Sequence, residues 1–121
     1  MKKSILILED DSATRFLLTH YLSTEYDLSI YENGLEGLAW LEKGNNADLI
    51  ITDLEMPKMD GFQFIARARN DDRFRDIPIL VTSSLDEAQV RKKIKCDCPY
   101  FQKSVELSSL KSIVSRMLNE V

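Results

Sequence analysis

Histidine is almost missing from this chain. His20 is the only one, and there are just two cysteines, Cys96 and Cys98. A four-ligand zinc site cannot be assembled convincingly from that inventory, so the C-x-C pair reads as small buried thiols near the start of a strand. Long apolar runs are missing too. The longest, such as Ile5–Leu8, suit a strand and fall far short of a bilayer span. No basic-then-apolar leader opens the chain, because Met1-Lys2-Lys3-Ser4 runs straight into a short strand. The expected address is the cytoplasm. Positive charge is also in deficit, with 16 Lys and Arg against 20 Asp and Glu and a net charge of −4. That balance argues against direct nucleic-acid binding, which needs a concentrated basic surface. What is present is ordinary for a soluble protein: 121 residues, 44% hydrophobic and 30% charged, the size of one domain spanning residues 1–121.

Local patterns divide the chain into alternating strands and helices. Ile5–Leu8 is continuously apolar, as a buried strand would be. Asp11 or Ser12 caps the next helix, with Ala13, Phe16, Leu17 and Tyr21 as its apolar stripe. Tyr26–Tyr31 alternates like a strand near a sheet edge. Leu35–Lys43 reads as a short helix stopped by Gly44-Asn45-Asn46. Leu49–Thr52 is a second buried strand, ending at Asp53. Gly61–Arg69 reads as a helix with Phe62, Ile65 and Ala66 inward and Arg67 and Arg69 outward. Pro78 opens a strand over Ile79–Ser83, and Asp86–Lys95 reads as a helix with a basic outer face. Tyr100 and Phe101 mark a fifth strand. Leu110, Ile113, Val114, Met117 and Leu118 follow the spacing of a packed helix. The resulting (βα)5 order predicts an α/β fold: a doubly wound, flavodoxin-like, five-stranded parallel sheet of order 2-1-3-4-5.

In such sheets ligands bind at the carboxyl ends of the strands. Here the first strand ends in Glu9-Asp10-Asp11 and the third in Asp53, so carboxylates from neighbouring strands converge. Like charges at close range are unfavourable, and a hard cation such as Mg²⁺ relieves them. The fourth strand delivers Thr82, Ser83 and Ser84, and the fifth delivers Lys103. Carboxylates, a divalent metal, a hydroxyl and an ammonium together suit a phosphoryl group, with a carboxylate as nucleophile.

At these residues the sequence resembles the response-regulator receiver family. The likeness is carried by I-L-I-L-E-D-D-S-A-T-R, L-I-I-T-D-L-E-M-P-K-M-D-G, I-P-I-L-V-T-S-S and P-Y-F-Q-K-S, in that order and at suitable separations. The resemblance implies that Asp53 is the phosphoacceptor and Asp10 the principal Mg²⁺ carboxylate. It gives Glu9 the second acidic position, acting on the metal through water, and gives Glu55 a ligand role through its backbone carbonyl. Lys103 matches the lysine that pairs with the acceptor or its phosphate, and Tyr100 matches the aromatic that changes rotamer on activation. Two residues compete for the switch hydroxyl. Counting forward from Asp53 through Pro78 gives Ser83, and counting back from Lys103 gives Thr82. The first count is preferred, because the shortfall then falls in the fourth helix.

The resemblance further implies a sensor histidine kinase or phosphotransfer protein as donor. It implies a separate output protein or effector domain, met through the fourth helix, fifth strand and fifth helix. Arg91, Lys92, Lys93 and Lys95 lie in that region. A homodimer is left open. The chain departs from the family at three places. Ser104 stands where proline, often after a cis bond, usually follows the lysine. Cys96-Asp97 replaces the usual Gly-Ala. Glu55, two residues after Asp53, is placed to fold its carboxylate over the site or to pair with Lys103. Two rival functions remain: a pseudo-receiver that binds a partner without phosphorylation, and a true phosphatase, for which this short chain has no cap-building insertion. A self-acting switch, not a turnover enzyme, is the expectation.

Overall fold

A strand covered by helices on both faces needs apolar side chains pointing both ways, and Leu49–Thr52 meets that demand with all four residues buried. In the computed structural model, which describes residues 2–94, 96–103 and 106–119, it is the central strand of a five-stranded sheet. The strands are β1 (Lys3–Leu8), β2 (Tyr26–Tyr31), β3 (Leu49–Thr52), β4 (Ile79–Ser83) and β5 (Tyr100–Gln102). All pairings are parallel and the order is β2-β1-β3-β4-β5, the predicted flavodoxin-like arrangement.

The helices are α1 (Ser12–Leu22), α2 (Gly34–Glu42), α3 (Gly61–Arg69), α4 (Glu87–Arg91) and α5 (Leu110–Met117), the last preceded by a 3-10 turn over Leu107–Ser109. Alternate residues of the strands feed two cores. Leu6, Leu8, Ile50, Ile79 and Val81 pack with Leu38 and Leu41 of α2, Phe64 and Ile65 of α3, and Val90 of α4. Ile5, Ile7, Leu49, Ile51 and Leu80 pack with Leu18 and Leu22 of α1 and Leu110 and Val114 of α5.

Several helix faces differ from the sequence expectation. On α1 the buried residues are Leu18 and Leu22, whereas Ala13 is exposed and Phe16 and Leu17 are 71% and 39% exposed. The cause is Arg15, whose guanidinium donates to the carbonyls of Glu9 and Asp10 at 3.1 and 2.8 Å. This holds the face bearing Arg15, Leu18 and Leu22 against the sheet and turns Phe16 outward. On α3 the buried side is Gly61, Phe64, Ile65 and Ala68, while Phe62 is half-buried and Ala66 exposed. Arg69 does not point freely outward. It donates to the carbonyls of Arg75 and Ile77, both at 2.9 Å.

Helix α4 ends at Arg91 and not near Lys95. Beyond it the chain turns so that Ile94 and Cys98 enter the core, and Lys95 itself lies outside the described residues. Cys96 and Cys98 are not free thiols as expected. They are joined in a disulfide, with Cys98 buried and Cys96 half-buried. The Lys103–Ser104 bond also lies outside the described residues.

Helix α3 begins with a reciprocal cap. Asp60 Oδ1 accepts from the Gln63 N–H at 2.9 Å, and Gln63 Oε1 accepts from the Asp60 N–H at 3.0 Å. This capping box satisfies two amides that helix geometry leaves unpaired. Asp60→Ala is expected to lower the unfolding free energy by about 1 kcal/mol, read as a lower urea midpoint at unchanged slope.

Candidate phosphoryl-acceptor site

Register alone brings the first two acidic strand ends together. Leu8 pairs with Thr52, so the next residues, Glu9 and Asp53, leave the sheet side by side. The Asp53 N–H donates to the Leu8 carbonyl at 2.9 Å and the Glu9 N–H to that of Tyr31 at 3.0 Å. On the other side Ser83 pairs with Gln102, and the Lys103 N–H donates to the Ser83 carbonyl at 2.8 Å. Lys103 is thereby aimed back across the strand ends. Its Nζ donates to Asp53 Oδ2 at 2.9 Å and forms an ion pair with Glu9 Oε1 at 2.7 Å.

The carboxylates of Glu9, Asp10 and Asp53 each place an oxygen within 4.8 Å of the others. Glu9 and Asp53 are buried and Asp10 is exposed, so the cluster opens to solvent on the Asp10 side. Asp53 Oδ1 accepts from the Leu54 N–H at 2.7 Å, and the Thr52 hydroxyl donates to the Asp53 carbonyl at 2.7 Å. Glu9 Oε2 accepts from the Asp11 N–H at 3.2 Å. Asp11 itself caps α1 through the Thr14 N–H at 2.8 Å, which leaves Asp10 uncommitted to capping. Glu9 Oε1 is buried, with the Lys103 ammonium as its partner at 2.7 Å. An all-oxygen set of three converging carboxylates, one of them open to solvent, fits a hard divalent cation.

The electrostatics express the crowding. Burial pushes the Glu9 carboxyl above its ordinary value; Lys103 pulls it back and the Asp53 charge raises it further. For Lys103, burial acts to lower the ammonium pKa, but pairing with Glu9 and Asp53 prevails and the net shift is upward. The site therefore holds a fixed cation between two carboxylates.

Among the remaining expected residues, Thr82 and Ser83 are both buried at the end of β4. The Ser83 hydroxyl accepts from the Leu85 N–H at 3.1 Å. Tyr100 is half-buried, and its hydroxyl donates to the Leu85 carbonyl at 2.5 Å. Burial raises the Tyr100 phenol pKa, contact with Ser83 partly offsets this, and Glu87, Asp53 and Asp86 add to it. Glu55 is exposed, and the Lys103 pairs found are with Glu9 and Asp53 and not with Glu55. The Arg15 clamp on the Glu9 and Asp10 carbonyls has no counterpart in the sequence reading. An arginine one turn into the helix after the acidic run was its available signal.

Gly61 allows the loop after β3 to close on the site. Its N–H donates to the Leu54 carbonyl at 3.0 Å, and a Cβ there would stand 2.0 Å from the Asp53 carbonyl oxygen and 2.7 Å from Leu54 Cα. Both obstacles are backbone. Gly61→Ala is expected to cost about 3 kcal/mol by overpacking, seen as a lower melting temperature with or without Mg²⁺.

Comparison with known proteins follows the same lines. The family pattern of the response regulator receiver domain matches residues 5–115. Chemotaxis protein CheY1 of Helicobacter pylori is 34% identical over 96 residues, covering 75% of this chain and 76% of CheY1. The cyclic di-GMP phosphodiesterase response regulator RpfG of Xanthomonas campestris is 34% identical over 92 residues, or 74% of this chain, which spans only 24% of RpfG's length. Among solved structures, the signal receiver domain of a signal transduction histidine kinase from Syntrophus aciditrophicus superposes with a TM-score of 0.86 at 31% identity, covering 97% of this chain and 90% of that one.

Proposed function

Because the chain belongs to the response regulator receiver domain family of two-component systems, we propose that it is a phosphorylation switch with Asp53 as acceptor. The observation that carries this reading is Lys103 Nζ lying 2.9 Å from Asp53 Oδ2 and 2.7 Å from Glu9 Oε1, inside a three-carboxylate cluster. The donor is a phosphohistidine on a sensor histidine kinase or phosphotransfer protein. A carboxylate oxygen of Asp53 attacks phosphorus, the P–N bond breaks with its electron pair returning to imidazole, and an acyl phosphate forms. Water later cleaves it. The chain thus acts on its own modification and turns over no external substrate.

Glu9, Asp10, Asp53 and the Glu55 carbonyl would hold Mg²⁺, whose charge, when bound, offsets that of the phosphoryl oxygens. Lys103 supplies a second fixed positive charge to the same oxygens. Ser83 is the switch hydroxyl in this reading. Drawn toward the phosphate, it leaves the Leu85 N–H and alters the surroundings of Tyr100, whose hydroxyl is anchored on the Leu85 carbonyl. Thr82 would have to act without that link. The surface of α4, β5 and α5 then changes its affinity for an output protein or effector domain. The whole chain, 1–121, serves as one receiver unit, working in the cytoplasm. No described helix is long and apolar enough to cross a membrane.

The test is incubation with acetyl phosphate or phosphoramidate, with and without Mg²⁺, followed by intact mass measurement. One Mg²⁺-dependent phosphoryl group per chain is expected. No adduct, together with no response to beryllofluoride, would make the chain a phosphorylation-independent binding module.

A further inference from the structure

The disulfide between Cys96 and Cys98 lies outside everything the acceptor chemistry uses. It spans a single residue in the turn between α4 and β5, with Cα atoms 5.2 Å apart, inside the span of about 4.4–6.8 Å that such bridges need. A ring closed over so few residues removes little freedom from the unfolded chain, so the bridge does little as a staple. Cys98 is 3% exposed and belongs to the core around β4 and α3, and Cys96 packs against that core from the half-buried side. The two cysteines are thus unequal: Cys96 is the more accessible and Cys98 is sheltered in the core. Arg91 Nη1 donates to the Cys96 carbonyl at 3.4 Å while its other nitrogens pair with Glu87, which ties the turn carrying Cys96 to the end of α4. A more accessible cysteine with a sheltered resolving partner at hand is the arrangement of a redox-responsive pair.

We propose that Cys96 and Cys98 form a reversible dithiol–disulfide site that exchanges with small-molecule disulfides, with Cys96 attacking and Cys98 resolving. The Cys96 thiolate attacks one sulfur of RS–SR, forming a mixed disulfide and releasing RS⁻. Cys98 then loses its proton and attacks the Cys96 sulfur, expelling a second RS⁻. The chain gives up two electrons, the small disulfide is reduced to two thiols, and the protein's thiol protons end on them. The site sits immediately ahead of β5, where the Pro99 carbonyl accepts from the Val81 N–H at 3.0 Å.

The experiment equilibrates the whole chain in mixtures of reduced and oxidised glutathione, quenches with acid, alkylates free thiols with a maleimide and measures intact mass. The wild type is expected to pass from two alkylated thiols to none, with the glutathione adduct a minor species throughout. Cys98→Ser should accumulate one glutathione on Cys96, whereas Cys96→Ser should take it up about tenfold more slowly, because its remaining thiol is buried. A persistent wild-type adduct that does not close, or equal uptake by the two variants, would overturn the proposal. Circular dichroism identifies a variant that has unfolded. For that case Cys98→Ala provides the same trap without a buried hydroxyl.

Discussion

Asp53→Asn is expected to take up no phosphoryl group from acetyl phosphate while melting at or above the wild-type temperature. The amide offers no carboxylate oxygen with a charge to donate, so the attacking group is gone although the shape is kept. The side-chain oxygen can still accept from the Leu54 N–H, the bond that orients Asp53 Oδ1 at 2.7 Å. Lys103 loses one partner but keeps Glu9 at 2.7 Å. Stability should not suffer, because the lost charge is one that raises the already elevated Glu9 pKa. For an acid held above its unfolded value, the folded state binds the extra proton, so stability falls as pH rises above the ordinary value of 4.5. With Asp53 neutral that fall is shallower, and the variant's advantage in melting temperature should be larger at pH 8 than at pH 5. An adduct on the variant would place the acceptor elsewhere, and a melting temperature well below wild type would mean that the loss of uptake reflects folding.

Much of this site was legible because strand ends in a parallel sheet are fixed by short-range patterns. Ile5–Leu8 and Leu49–Thr52 are buried on both faces, read as unbroken apolar runs, and stop where their acidic residues begin. Their adjacency followed from the order of elements, and the structure bears it out through the Leu8–Thr52 pair. The helix faces were less legible. Phe16 and Leu17 are apolar and helically spaced, yet the face of α1 is chosen by Arg15 bonding to loop carbonyls, a contact that composition does not announce. On α3 the face is chosen by Gly61, the position where the helix backbone approaches Asp53, and this turns Ala66 outward. The end of α4 is hidden in the sequence because Arg91, Lys92 and Lys93 continue a helical charge pattern, whereas the chain turns after Arg91 and buries Ile94 and Cys98. The pairing of Lys103 with Glu9 joins residues far apart in sequence, and no local signal could choose Glu9 over Glu55.

That pairing carries the second large effect. Lys103→Met keeps the unbranched stem and removes the charge, and phosphoryl uptake from acetyl phosphate is expected to slow by about a hundredfold or more, the usual cost of removing a preorganised positive group from a site of developing charge. Its effect on Mg²⁺ should be opposite in sign. Lys103 Nζ now neutralises Glu9 Oε1 and Asp53 Oδ2, and without it the cation alone relieves the carboxylates, so Mg²⁺ should raise the melting temperature of the variant more than that of the wild type. The pH dependence is fixed by both partners. The Lys103 pKa is raised in the folded state above 10.5, so its contribution is fully present below that value and is lost only as pH rises through the higher folded one. At the acidic end the contribution fades as Glu9 takes up its proton, which happens at higher pH than for an ordinary carboxylate. The gap in stability between wild type and Lys103→Met should therefore be widest between neutral pH and about 10 and should close toward pH 4. Equal Mg²⁺ shifts in the two proteins would show that the lysine and the metal do not share one field. Slow uptake would then have to come from misplacement of Asp53, which an unchanged beryllofluoride response would exclude.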